Sequence, residues 1–324
     1  MSSEPWSALV VGCGKIAGGY NAGPDDTMVL THALAYARHP RFELVACVEP
    51  DETARERFMR KWSVRRGYGT LDEALDCQRF DIVSVCSPTG THVAHLARLL
   101  AADIKAVFAE KPLDGAAQRA RELAQKFRAK NVPVAVNFTR RFDPTMHELR
   151  DAIQSGRYGA LRSVTGWCSG SLLNNGSHLI DLVIFLTGRA PAISARTGGM
   201  NLRSAQRAET FSFDLGEASF TVIGSEGTDV TRFEIELACA DAVITIEDAG
   251  LAIRTRRRSA SDIFPGEVVL NHGQWSSTHY GSALLRALDE LANWHEGARL
   301  SSDIASACEA IELVDALNSR TVAA

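Results

Sequence analysis

Long apolar runs are absent from this chain. No stretch approaches the roughly 20 apolar residues that cross a bilayer. The first apolar run, residues 8–11, follows an acid and a proline and is too short for a secretory leader. The expectation is a protein with no membrane partner. The seven cysteines (Cys13, Cys47, Cys77, Cys86, Cys168, Cys239, Cys308) are odd in number, scattered, and form no CxxC. That speaks against a disulfide framework or a zinc site and for reduced thiols in a cytoplasmic setting. Excess positive charge is missing as well: 35 Lys and Arg stand against 39 Asp and Glu, for a net charge of -4. A nucleic-acid partner therefore has no electrostatic footprint, and a small-molecule partner is favoured. His32, His39, His95, His147, His272, His279 and His295 show no metal-ligand spacing, so no metal is expected and these seven receive no role. Internal repeats and low-complexity segments are also lacking.

What is present is a chain of 324 residues, 45% of them hydrophobic, enough for two domains with ordinary cores. Up to about residue 136, short apolar runs (8–11, 44–49, 82–86, 105–109, 134–137) alternate with helical patterns (31–39, 52–62, 71–77, 92–101, 116–130). Several of the runs are apolar at consecutive positions, as parallel strands buried on both faces require. The prediction is an α/β Rossmann domain with a doubly wound parallel sheet over residues 1–137. After about Arg150 the pattern changes to strand-like segments (162–168, 210–215, 219–223, 233–239, 242–247, 251–255), with helical patterns at 281–295 and 303–319 closing the chain. Residues 138–324 are predicted to form an α+β domain with a large, mostly antiparallel open sheet that binds substrate and oligomerises, its C-terminal helix packing back on the first domain. A sheet with an open face commonly buries it against a second subunit, so a homodimer or homotetramer is expected.

Gly12-Cys13-Gly14-Lys15-Ile16-Ala17 follows the first strand directly, where a dinucleotide fingerprint must sit. The first glycine permits a tight turn, the second lets the backbone approach a pyrophosphate, and Ala17 takes the place of the third. Glu49 ends the second strand, where a carboxylate accepts from ribose hydroxyls and repels a 2'-phosphate, favouring NAD over NADP. Its distance from the glycines exceeds the usual 20 or so residues. A loop inserted at 18–30, rich in Gly, Asn, Asp and Pro, explains the excess. That loop is either a lid near the cofactor or a passive surface insertion.

Three further segments are distinctive: Ser87-Pro88-Thr89-Gly90-Thr91-His92, Glu110-Lys111-Pro112, and Gly176-Ser177-His178-Leu179-Ile180-Asp181. With the fingerprint and Asn137-Phe138-Thr139-Arg140-Arg141-Phe142-Asp143-Pro144, in this order over nearly the whole chain, they resemble the Gfo/Idh/MocA family of oxidoreductases (glucose-fructose oxidoreductase, inositol dehydrogenase, rhizopine catabolism). The resemblance implies an NAD(P)-dependent dehydrogenase that moves hydride between nicotinamide and a hydroxyl or keto carbon of a sugar, cyclitol or sugar derivative. It places Ser87, Pro88, Thr89 and His92 against the cofactor, and Glu110 and Lys111 beside the nicotinamide. Lys111 would touch the reacting hydroxyl and help move its proton, since a lysine near a nicotinamide cation has its pKa lowered toward the working range. Pro112 opens the preceding peptide to a cis form at about 0.5–1 kcal/mol. His178 matches the family's catalytic histidine, and Asp181 would cap or orient it.

Four residues before that histidine the family commonly has aspartate; this chain has Asn174. An amide offers no negative charge to an imidazolium, leaving three readings: a proton route through Lys111, substrate selection by Asn174 and Asn175, or lost turnover. By resemblance Arg140, rather than Arg141, reaches the substrate, with an interdomain salt bridge as the alternative. Trp167 either stacks on a sugar face or packs the sheet. The basic cluster Arg254-Thr255-Arg256-Arg257-Arg258 either holds the diphosphate of a nucleotide sugar or blunts a sheet edge. Two rivals remain: a non-catalytic NAD(P)-binding sensor, and an enzyme that keeps its cofactor while exchanging one sugar for another.

Overall fold

A computed structural model describes residues 4–114, 117–170, 172–197, 210–225, 230–295 and 297–320. In chain order its elements begin with β1 (Trp6–Val11), α1 (His32–Arg38), β2 (Phe42–Val48), α2 (Glu52–Trp62), β3 (Arg66–Tyr68), α3 (Leu71–Cys77), β4 (Ile82–Val85), α4 (Thr89–Leu99), β5 (Ala106–Ala109), α5 (Ala117–Lys130) and β6 (Val134–Val136). There follow α6 (Pro144–Gln154), β7 (Leu161–Ser169), α7 (Ser177–Thr187), β8 (Ala192–Thr197), β9 (Thr210–Leu215), β10 (Ala218–Ser225), β11 (Phe233–Cys239), β12 (Ala242–Glu247), β13 (Ala252–Ala260), β14 (Val268–Leu270), β15 (Gln274–Ser277), α8 (Ala283–Ala292) and α9 (Ile304–Arg320). They cluster into two compact units. One holds the chain up to Phe142 together with Gly281–Cys308, and the other holds Asp143–Tyr280 and the chain from Glu309 on.

In the first unit six parallel strands run in the order β3-β2-β1-β4-β5-β6. The apolar runs are buried where both faces are covered: Ala8 to Val11, Ile82 to Val85 and Ala106 to Ala109 are all enclosed. Capping residues set the helix starts. Asp51 accepts from the Ala54 amide at the head of α2, and Thr70 with Glu73 closes a capping box on α3. α8 buries Leu284, Ala287, Leu288 and Leu291 along one stripe and packs on α1 and on the 3-10 turn Thr139–Phe142. The first unit therefore ends after Phe142, not after Asn137, and it includes residues 281–308, a stretch the sequence pattern assigns to the second domain.

The second unit is a nine-stranded sheet in the order β14-β13-β12-β11-β7-β10-β9-β8, with β15 also pairing β13. Its ladders are antiparallel except that between β7 and β10. Strict alternation in β11 and β12 turns Phe233, Ile235 and Leu237, and Ala242, Ile244 and Ile246, to the buried face. Gly166 on β7 lets α7 lie close, since a Cβ there would sit 2.5 Å from Leu179. The strands β3, β8, β14 and β15 and the helix α6 were not among the predicted elements, and α4 starts at Thr89, three residues before its predicted start. No helix among the described residues is long and apolar enough to cross a membrane.

Candidate active site

The carboxyl ends of five parallel strands meet along one edge of the first unit. Backbone bonds lock them in line: Gly12 N–H to Val48 O, Cys86 N–H to Val11 O, Glu110 N–H to Val85 O, and Asn137 N–H to Ala109 O, each 2.7–2.8 Å. Gly12 has φ of +91°, and a Cβ on it would lie 2.7 Å from the Ser87 backbone, so no larger residue fits where the β1 turn passes the end of β4. Gly14 is different: a Cβ there would meet nothing within 4 Å. Its bare backbone borders a cavity of about 360 Å³ lined also by Lys15, Phe58 and Trp62. Lys15 is exposed, Ile16 half-buried against the core, and Ala17 fully buried.

The fingerprint does not lead straight into a long helix. Lys15–Gly19 make one π-helical turn, and α1 begins only at His32. The intervening loop is the predicted insertion, and it is tied down from within. Buried Asn21 donates to Asp26 and to the Met28 carbonyl and accepts from the Leu30 amide and the Thr31 hydroxyl, while the Lys61 ammonium donates to the carbonyls of Gly18 and Asn21. Glu49 stands at the end of β2, where one carboxylate oxygen accepts from the Cys13 amide at 3.0 Å and the other from the Asp51 amide. The acid thus reaches back to the fingerprint turn.

Past β4, Ser87 bonds His95 at 3.0 Å and accepts from the Thr91 hydroxyl. Pro88 precedes α4 without any side-chain cap, leaving the amides of Thr89 and Gly90 at the strand-end edge. His92, by contrast, is enclosed: Nδ1 lies 2.8 Å from the Pro112 carbonyl oxygen and Nε2 2.6 Å from that of Ser87. It ties the Ser87 segment to the Lys111–Pro112 segment, whose peptide is cis.

Lys111 ends β5's run. Burial pulls its ammonium down to about 8, with the Glu110 carboxylate opposing and the Arg140 charge adding to the fall. Burial also pushes the Glu110 carboxyl up, but hydrogen bonds from His32 and Asn137 and the Lys111 charge outweigh it, so Glu110 stays below the usual carboxylate range. Asn137 donates to Glu110 at 2.6 Å and is itself held by the Thr139 hydroxyl. Arg140 and Arg141 share the buried turn Thr139–Phe142; Arg141 donates to the Ser301 carbonyl at 3.4 Å, and it is Arg140 whose charge acts on Lys111. His32, to which the sequence pattern assigns no role, lies 3.0 Å from the Glu110 carboxylate.

In the second unit a π-helical turn, Leu172–Gly176, feeds α7. Such wide turns recur at functional sites because they re-aim side chains. Asn174 is exposed on it, Asn175 donates to the Ser169 carbonyl at 2.6 Å, and half-buried His178 lies in the first turn of α7, anchored by fully buried Ser177 and Leu179. Asp181 is buried one turn on. Trp167 is not brought to His178. Alternation along β7 puts it on the face opposite Gly166 and α7, with the Arg232 guanidinium 4.9 Å over its ring. The arginine cluster is no sheet edge, because β13 pairs with β12 on one side and with β14 and β15 on the other. Arg254 and Arg256 donate to the carbonyls of His272 and Asn271, Arg257 lies over Tyr158, and Arg258 pairs with Asp241.

Residues 7–138 match the family model described as an oxidoreductase family with an NAD-binding Rossmann fold. The inositol 2-dehydrogenase of Rhizobium meliloti is 33% identical over 41% of this chain and 40% of its own length. The D-glucoside 3-dehydrogenase of Escherichia coli is 26% identical over 65% of this chain and 60% of its own length. The chain thus spans about half the length of these curated relatives. Among solved structures, the WlbA dehydrogenase from Bordetella pertussis in complex with NADH and UDP-GlcNAcA superposes with a TM-score of 0.74 at 17% identity, covering 97% of this chain and 95% of that one. A putative myo-inositol dehydrogenase from Sinorhizobium meliloti gives 0.72 at 21% identity over 96% and 95%. These structures establish the fold of both units. Over residues 7–138 the chain is similar to the oxidoreductase family with an NAD-binding Rossmann fold known as Gfo/Idh/MocA.

Proposed function

We propose that this protein is an NAD(H)-dependent dehydrogenase or ketoreductase acting on a hydroxyl or keto carbon of a sugar, cyclitol or sugar derivative. The observation that carries the reading is Lys111: a largely enclosed lysine, its ammonium pulled down to about 8 by burial, at the strand-end edge that also presents the glycine turn. The dinucleotide fits this edge. Gly14 leaves the space over its backbone clear, the first amides of α4 are uncapped, and a carboxylate stands at the end of β2. Gly12, Gly14, Lys15, Ile16, Ala17, Glu49, Ser87, Pro88, Thr89 and Glu110 would hold or shape the cofactor site, and His92 would brace it. When bound, the nicotinamide supplies acceptance or donation of hydride.

Lys111 in this reading hydrogen-bonds the reacting oxygen and holds or takes its proton. His178 serves as acid or base, Arg140 reaches substrate hydroxyls, and Asn174 and Asn175 select the substrate with amide groups in place of a charge. Glu49 favours NAD over NADP by repelling a 2'-phosphate. The names of the relatives support polyol and glycoside substrates. A sugar-stacking role for Trp167 is not kept, because its ring lies on the other sheet face under Arg232. We also assign a homodimer or homotetramer in the cytoplasm, the sheet supplying the contact. The exposed Asn174, standing where the family commonly has aspartate, is the one observation favouring a non-catalytic sensor.

The test is nicotinamide absorbance with NAD and NADP across sugars, cyclitols and nucleotide sugars, for wild type, Lys111→Ala and His178→Ala. Turnover with NAD that drops by about 10²-fold or more in each variant is expected, the range for loss of a proton-transfer group. Measurable NAD binding without turnover on any compound would replace this reading with the sensor.

A further inference from the structure

Behind Lys111, in the interior of the first unit, lies a polar chain in an otherwise apolar core. Tyr36 and His32 from α1, Ser84 from β4, Glu110 at the end of β5 and Asn137 at the end of β6 are all buried, His32 and Ser84 completely. The Tyr36 hydroxyl lies 2.7 Å from Ser84 Oγ, Ser84 Oγ lies 2.9 Å from His32 Nδ1, and His32 Nε2 lies 3.0 Å from Glu110 Oε1. A carboxylate only accepts, so His32 must carry its proton on Nε2 and donate to Glu110. In a neutral ring Nδ1 then accepts from Ser84, which accepts from Tyr36. Burial keeps the Tyr36 phenol protonated and therefore a donor. Every bond in the chain runs the same way, toward the carboxylate.

We propose that His32 is a positioning residue for the Lys111 site: its Nε2–H holds Glu110 as an anion, in place, beside the Lys111 ammonium. This rests on the reading of Lys111 as the proton-transfer group and names a residue that sets its charge. The Lys111 amide also donates to Glu110 Oε2 at 3.3 Å. Glu110 is met by His32 from α1, Asn137 from β6 and the Cys86 thiol beyond β4, which burial and the Glu110 charge keep neutral. The charges of Glu110 and Arg140 act on Lys111, the first raising and the second lowering its proton affinity. Glu110 is thus the anion that offsets both the burial of Lys111 and the repulsion from Arg140. A buried carboxylate that loses a donor gains proton affinity and loses one of the bonds that fix it, so it would offset the Lys111 charge less well.

The test titrates Lys111 without substrate or cofactor, so it stands apart from the turnover assay. The pH dependence of competitive acetylation of the full chain is read at the Lys111 peptide by mass spectrometry. Wild type should show a midpoint near that of a lysine pulled down to about 8. His32→Leu should lower it by about half to one pH unit. Glu110→Gln, which keeps the side-chain shape, should lower it at least as far. His32→Gln, whose amide reaches Glu110 as Nε2 does, should restore it. An unmoved midpoint in folded His32→Leu overturns the proposal, as do equal falls in His32→Leu and His32→Gln. Where His32→Leu does not fold, Glu110→Gln and His32→Gln decide: an unmoved midpoint in the first, or a fallen one in the second, rejects the proposal.

Discussion

Lys111 carries a stability penalty that its chemistry requires. Its folded-state pKa of about 8 lies below the ordinary 10.5, so between those values the unfolded chain binds more protons and stability rises with pH. Below pH 8 both states are protonated and the penalty is complete. Lys111→Met should therefore stabilise the protein at neutral pH by up to about 3 kcal/mol, with the gain vanishing toward pH 10.5; chemical denaturation at several pH values reads this, and a pH-independent difference would contradict it. Gly12 makes an opposite prediction. Gly12→Ala places a Cβ 2.7 Å from the Ser87 backbone at φ of +91°, where backbone strain alone costs about 1–3 kcal/mol. It should lower the melting temperature and weaken NAD binding together. Glu49→Ala removes both a 2'-phosphate repeller and the acceptor of the Cys13 amide. Calorimetric titration should show the preference for NAD over NADP falling by about tenfold. The strand-end positions of Gly12, Gly14, Glu49 and Lys111 were legible because strand context and residue type together specify them. His32 was not: in sequence it stands 78 residues from the carboxylate it touches, with no spacing rule to join them.

At the scale of elements, the close approach of α7 to β7 rests on one missing side chain. Gly166→Val would drive a Cβ to within 2.5 Å of Leu179, and overpacking of this kind costs about 1–3 kcal/mol. The variant should lose stability and also displace the turn that carries His178, visible as a fall in turnover larger than the fall in NAD affinity. The long apolar strands and α2, α3 and α5 could be read from sequence, since consecutive burial and capping residues mark them. β3, β14 and β15 could not. They are three or four residues long, and much of β14 and β15 is exposed, so no apolar periodicity announces them. α6 carried a signal that patterning passed over: Asp143 caps it and Pro144 takes its first position. The arginines of β13 looked like a sheet edge because the two strands that cover them are nearly silent in sequence.

For the whole molecule, exposed Val268 and Trp275 on the sheet and exposed Ile263 and Phe264 in the turn between β13 and β14 make a surface that favours self-association. Sedimentation at micromolar concentration should show a dimer or tetramer; a monomer alone would remove the assigned assembly. The doubly wound unit, the fingerprint and the Lys111 and His178 segments were determined by the sequence itself, since each depends on residues adjacent in the chain and on local periodicity. The tertiary structure alone decided that residues 281–308 return to the first unit, that Trp167 faces away from α7, and that a tyrosine, a serine and a histidine line up behind Glu110. These arrangements arise from packing between segments far apart in the chain, where burial and hydrogen-bond partners are set by neighbours that no local pattern names.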